Sequence, residues 1–157
     1  MQMERVLNLK LSTILELNRV VILEKATKQE VLDLLIDKLA DTDFVKSKAD
    51  LQTGIYEREE LMSTGIGLNL GIPHVRMSSI RDLALAVALV KNGIDDYESL
   101  DSSVVKLVFM IVAREDQHAA HLKLLSHLSS NLKTDEIREN LLKAESEEEL
   151  YAYLGGK

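Results

Sequence analysis

Residues 61–76 read LMSTGIGLNLGIPHVR. Three of the chain's seven glycines, Gly65, Gly67 and Gly71, fall inside this stretch, and the only proline, Pro73, stands directly before His74. Glycine admits positive φ and lets a backbone approach a ligand closely. Successive N–H groups in such a turn can form a nest for an anion. Pro73 fixes its own φ and pushes Ile72 toward an extended conformation. The pair therefore holds His74 at a set place, at the end of a short strand. Upstream, Arg58 closes a helix beside Glu57, Glu59 and Glu60. A guanidinium near a histidine and a glycine turn can grip a phosphoryl group with its fork of donors. The stretch is not a GxxxxGK[ST] loop, and its glycines do not have the GxGxxG spacing.

Around this segment the chain alternates between strand and helix patterns. Val20 to Leu23 is short and β-branched, which predicts a strand. Thr27 and Glu30 form a capping box, and Val31, Leu34, Leu35 and Leu39 follow at helical spacing, which predicts a helix over 28–40. A second helix is predicted over 43–60 with Val45, Ala49 and Ile55 inward, interrupted in propensity by Gly54. Residues 62–76 read as irregular with short strand character. Leu83 to Val90 and Val104 to Val112 are apolar and rich in β-branched residues, the pattern of buried strands. Gln117 to Leu132 is amphipathic, with Leu122, Leu125, Leu128 and Leu132 on or near one stripe. Two short helices follow, the second capped by Ser146 with Glu149 three residues on. The cluster Glu145, Glu147, Glu148 and Glu149 reads as the solvated first turn of that helix. Helices interspersed with strands in one small domain predict α/β layers.

Composition removes several function classes. The chain has 157 residues, the size of one domain, and no repeat or linker divides it. Hydrophobic residues make up 46% and charged residues 29%, which excludes a disordered tail. Acidic side chains outnumber basic ones, 26 to 19, and no basic stripe appears, so nucleic acid is not an expected ligand. There are no cysteines, which excludes disulfide scaffolds, thiol catalysis and cysteine-bound metal, and fits a reducing cytosol. MQMERVLNLK lacks the apolar core of a leader, and the longest apolar run, Leu83 to Val90, is far short of the ~20 residues that span a bilayer. A cytoplasmic chain without membrane insertion is expected. His118 and His121 stand three apart, a spacing that can ligate metal on a helix; without a third ligand no metal site is assigned. His127 reads as a surface or edge residue.

The stretch from Arg58-Glu59-Glu60 through Ser63-Thr64-Gly65-Ile66-Gly67 to Ile72-Pro73-His74 resembles the signature of the EIIA domains of the bacterial phosphotransferase system. The class it resembles is the fructose/mannitol one, which includes the nitrogen-regulatory branch. The likeness continues through Gly93-Ile94-Asp95, through Ala119-Ala120-His121-Leu122-Lys123-Leu124-Leu125, and through Ala144-Glu145-Ser146 to Leu154, so it covers nearly the whole chain. The resemblance implies a single EIIA-type domain over 1–157. Its fold would be an α/β sandwich, with a central mixed sheet of about five strands and helices on both faces. Asn69 stands where the family usually has glycine, Gly71 where it has alanine, Val75 where it has a small residue and Arg114 where it often has proline. Asn tolerates left-handed geometry better than most residues.

By that resemblance His74 is phosphorylated on its ring, at Nε2, by an HPr-type phosphocarrier protein. A neutral imidazole is nucleophilic near neutral pH, and its second nitrogen can donate the hydrogen bond that fixes the tautomer. Phosphoryl transfer asks mainly for positioning and for charge on the equatorial oxygens. Arg58 would supply a permanent charge, His121 a second imidazole, and Thr64, Gly65 and Gly67 phosphate-binding support from backbone N–H groups and the Thr64 hydroxyl. No cofactor is implied. The acceptor would be an EIIB domain on a separate chain, in sugar uptake. The alternative is a regulatory module whose binding to a protein target is switched by the charge added at His74. A third possibility keeps the fold without the activity. An apolar rim of Leu68, Leu70, Val75 and Met77 would suit docking over His74, or would pack beneath the loop.

Overall fold

The computed structural model describes Leu11 and residues 14–155. The expectation that residues 1–10 carry no leader concerns a stretch outside those described. Among the described residues six strands form one mixed sheet: β1 (Val20–Leu23), β2 (Gly65–Gly67), β3 (Leu70–Gly71), β4 (His74–Arg76), β5 (Ala84–Ile94) and β6 (Val105–Ala113). Five run in the order β1-β5-β6-β3-β2, and β4 also pairs with β6. The two apolar runs pair antiparallel at the centre, β1 lies parallel to β5, and both β3 and β4 lie parallel to β6. Each run extends past its predicted end, to Ile94 and Ala113.

Period-two alternation divides the core into two layers. Leu85, Val87 and Leu89 of β5 share one face with Leu107, Phe109 and Ile111 of β6. Helices α3 (His118–Leu132), α4 (Asp135–Leu142) and α5 (Glu147–Tyr153) cover it through Leu124, Leu128, Leu132, Leu141 and Leu150. The other face presents Ala84, Ala86, Ala88, Val108, Met110 and Val112 to α1 (Lys28–Ala40) and α2 (Lys48–Leu61). Helices therefore lie on both faces, as the sandwich requires, and a strand buried on both sides needs an apolar residue at every position.

The helix ends follow local chemistry. The capping box at α1 closes as predicted: the Glu30 N–H donates to Thr27 Oγ1 at 3.1 Å, and the Thr27 N–H donates to Glu30 Oε1 at 2.9 Å. Helix α2 starts later than predicted because Ser47 caps it, accepting from the Asp50 N–H at 3.1 Å. Val45 lies outside α2, in an antiparallel bridge with Ile80, and Ala49 is exposed; Leu51 and Ile55 make the inward stripe instead. Gly54 has a packing reason. A Cβ there would stand 3.1 Å from Met77 Sδ and 3.7 Å from Val75 Cγ1, so its absence lets α2 lie close on β4. In α3 the buried stripe is His121, Leu124, Leu128 and Leu132, one position away from the predicted Leu122 and Leu125; Leu122 is exposed. Ser146 caps α5 as predicted. Of the acidic cluster, Glu147 turns inward enough to accept the Ile22 N–H at 3.2 Å. That bond covers part of the free edge of β1, which would otherwise be open to pairing.

Candidate functional site

The approach to His74 is built from backbone bonds on both sides of Pro73. The Ile72 N–H donates to the Thr64 carbonyl at 3.0 Å, and the Pro73 carbonyl accepts from the Ile111 N–H at 3.0 Å. His74 then opens β4, paired with Ile111. Its Nδ1 lies 2.7 Å from the Ile72 carbonyl oxygen. A carbonyl only accepts, so Nδ1 carries the proton; in the neutral ring the lone pair is then on Nε2.

His121 approaches from α3. The two imidazole centroids are 5.2 Å apart with the planes at 75°. His121 is 4% exposed, and its Nε2 has no hydrogen-bond partner among the described residues. Burial lowers its pKa to about 4, helped by the neighbouring His74, Arg76 and His118. The ring is therefore neutral at pH 7, and the positive charge of Arg76 close by favours that neutral form. His127 is half-buried, on the same helix, and burial also lowers its pKa.

A cleft of about 400 Å³ joins these groups, lined by Gly54, Glu57, Arg58, His74, Val75, Arg76, Met77 and His121. Arg58 comes from the last turn of α2, where its Nη1 donates to the Met62 carbonyl at 2.8 Å. It forms no ion pair with Glu57, Glu59 or Glu60 among the described residues, so its charge is left for the cleft. Arg76 is a lining residue that the sequence reading does not single out. It lies two residues beyond His74 in β4, and its Nη1 donates to the Glu115 carbonyl at 3.2 Å. Period two places it beside the histidine, a signal present in the PHVR tetrapeptide.

The structure brings His74, Arg58 and His121 together. It does not bring Thr64, Gly65 and Gly67 to the lining of this cleft. The Thr64 hydroxyl lies 2.5 Å from Glu59 Oε2 and 2.5 Å from the Tyr97 hydroxyl, and Thr64 is 3% exposed. A Cβ on Gly65 would collide with the Glu98 carbonyl oxygen, and one on Gly67 would stand 3.0 Å from Asp101 Oδ2. These glycines admit the loop 97–103. The β2–β3 turn carries positive φ at Leu68 (58°) and Asn69 (68°), the requirement of a tight hairpin, and Asn69 fills the left-handed position as its tolerance predicts. Its amides are taken up internally: the Leu68 N–H donates to Asp101 Oδ2 at 3.0 Å and the Asn69 N–H to Ser103 Oγ at 3.1 Å. The Ser103 hydroxyl and the Leu68 and Ser103 N–H groups hold that carboxyl well below the usual range. Gly71 likewise admits Tyr97, whose hydroxyl would be 2.9 Å from a Cβ at that position.

The apolar rim is also redrawn. Leu70 is 1% exposed and belongs to the layer under α3–α5, Val75 and Met77 are half-buried against the layer under α1 and α2, and Leu68 stays exposed. Other exposed apolar side chains are Leu61 and Met62, the latter giving the carbonyl that holds Arg58, and Leu122, which follows His121 in sequence. Among the described residues no helix is long and apolar enough to cross a membrane, and no three His, Asp or Glu side chains converge as a metal site would need.

Known proteins carry the same architecture. The structure superposes on the nitrogen regulatory protein IIA-Ntr of Neisseria meningitidis with a TM-score of 0.83, at 28% identity, covering 91% of this chain and 97% of that one. The fructose-specific EIIABC component of Bacillus subtilis is 40% identical over 126 residues, 80% of this chain. The chain spans 20% of that relative's length. The fructose-specific EIIA component of Haloferax volcanii is 34% identical over 123 residues, covering 78% of this chain and 79% of that protein. Residues 13–156 match the family described as "Phosphoenolpyruvate-dependent sugar phosphotransferase system, EIIA 2". On that match, with an arginine and two histidines assembled at one cleft, the chain belongs to the EIIA 2 family of the phosphoenolpyruvate-dependent sugar phosphotransferase system.

Proposed function

We propose that the chain is a phosphocarrier that takes a phosphoryl group onto Nε2 of His74 from an HPr-type phosphocarrier protein and passes it to an EIIB partner in sugar uptake. The observation that carries this is the Nδ1–H···O=C bond from His74 to Ile72, which leaves Nε2 as the nucleophilic nitrogen at the cleft. In the transfer, the N–P bond of the donor phosphohistidine breaks as the bond to Nε2 forms. The donor imidazole leaves with its electron pair, and no proton need move on Nδ1. Charge on the equatorial oxygens meets the guanidiniums of Arg58 and Arg76 and the imidazole of His121. The roles of Thr64, Gly65 and Gly67 are then indirect, in shaping the loop beneath β4. The name of the Bacillus subtilis relative joins the A component to B and C components, which supports an EIIB as the next acceptor.

A regulatory role is the second reading, favoured by the likeness to IIA-Ntr. In it, the same phosphorylation switches binding to a protein target by adding charge at the cleft. Incubation with phosphoenolpyruvate, Enzyme I and HPr, followed by intact mass, tests the shared first step. One acid-labile phosphoryl group is expected on the wild type and none on His74→Ala. Phosphorylated HPr beside an unmodified wild-type chain would refute it. Onward transfer to an EIIB then separates transport from regulation.

A further inference from the structure

A polar strut lies behind β4, where apolar packing would serve stability as well. Lys28 Nζ of α1 pairs with Glu59 Oε1 of α2 at 2.8 Å, and the Glu59 side chain is 6% exposed. Glu59 accepts from the Thr64 N–H at 3.3 Å and from the Thr64 hydroxyl at 2.5 Å. The hydroxyl of Tyr97, a residue 3% exposed, lies 2.5 Å from the Thr64 hydroxyl. Since Thr64 donates to the carboxylate, Tyr97 must donate to Thr64. Lys28 Nζ also stands 4.5 Å over the Tyr97 ring. Two helices, a turn and the loop after β5 thus converge on one peptide. Burying an ion pair with two hydroxyls brings little net stability compared with apolar side chains, while it fixes geometry.

The strut continues to the site. The Thr64 carbonyl accepts the Ile72 N–H at 3.0 Å, and the Ile72 carbonyl accepts Nδ1–H of His74 at 2.7 Å. Ile72 is therefore held at its N–H by the strut, and across its Cα its C=O holds the imidazole. We propose that Glu59 is a positioning residue for His74: through Thr64 and the backbone of Ile72 it keeps the imidazole in the Nδ1–H tautomer. Only the catalytic consequence of this rests on His74 being the phosphoryl acceptor. The tautomer belongs to the unphosphorylated chain.

The test is a long-range ¹H–¹⁵N correlation spectrum of the His74 ring, in the full chain, at a pH where the ring is neutral. Wild type and Thr64→Ser, which keeps the hydroxyl, are expected to show Nδ1–H. Glu59→Gln and Thr64→Val are expected to raise the Nε2–H tautomer severalfold, with an unchanged backbone amide pattern. The rate of His74 phosphorylation should fall about tenfold in both, the scale seen when the partner that orients a functional histidine is lost. A folded Glu59→Gln or Thr64→Val chain that keeps the wild-type His74 tautomer overturns the proposal. If one of the two fails to fold, the other decides between the same two outcomes. A tautomer shift in a chain whose wild type accepts no phosphoryl group would uphold the strut while refuting the acceptor role.

Discussion

Lowering the pH from about 7.5 to about 5 should destabilise the protein through His121. Its ring has a pKa of about 4 in the fold against 6.5 for an ordinary imidazole, because burial penalises the charged form and His74, Arg76 and His118 add to that. The unfolded chain binds a proton that the folded chain refuses. The contribution of this residue is therefore complete above about pH 6.5 and is lost progressively as the pH falls toward 4, at about 1.4 kcal/mol per pH unit. Over the stated interval the loss from this one ring comes to about 2 kcal/mol. That is a large share of a typical folding stability of about 5–15 kcal/mol. Urea denaturation at both pH values measures it, with His121→Gln as the reference. The glutamine cannot titrate, so the carboxylates and the other histidines cancel between the two proteins. Wild type should lose about 2 kcal/mol more than the variant, or about 4–8 °C in Tm. Equal losses would refute the burial and neutrality of His121.

Phosphorylation should reverse that depression. At the 5.2 Å between the two rings, one unit of negative charge favours an imidazolium by about 3 kcal/mol at an effective dielectric of about 20, or about two pKa units. An NMR titration should find His121 moved up by at least that amount in the phosphorylated chain, and an unmoved ring would contradict the placement of the phosphoryl group. Two glycines with close packing neighbours, Gly65 in β2 and Gly54 at the cleft, should separate in stability. Gly65→Ala drives a Cβ into the Glu98 carbonyl oxygen, a backbone atom, and should cost about 3 kcal/mol or more in chemical denaturation. Gly54→Ala meets the flexible end of Met77 at 3.1 Å while gaining helix propensity, and should change stability by less than about 1 kcal/mol.

Much of the sheet and the first helix is legible in the sequence because their signals are local. The capping box at Thr27 and the β-branched runs need no distant partner to be read. The start of α2 is harder, because an apolar period reaching back to Val45 competes with Ser47, the true cap. Its Gly54 reads as a weakness because Met77, the reason for it, lies 23 positions away in sequence. In α3, Leu128 and Leu132 are buried as read, while the first half of the stripe shifts by one position, since leucines on both sides of the boundary satisfy the period, and the buried member that matters is His121. At the site, the PH dipeptide, Arg58 and His121 are visible as residue types. The destination of the glycine turn is not: Asp101 occupies the Leu68 amide from 33 residues downstream, and no spacing rule foretells that. Arg76 is readable from strand period alone, once His74 is placed at the start of β4.

The central claim concerns which atom of which histidine carries the phosphoryl group. A ¹⁵N-labelled chain, phosphorylated by phosphoenolpyruvate, Enzyme I and HPr, gives the answer through ³¹P–¹⁵N coupling in the histidine ring spectrum. Coupling to Nε2 of His74, with the proton still on Nδ1, is the predicted result. Coupling to Nδ1 of His74, or to His118, His121 or His127 instead, would contradict it.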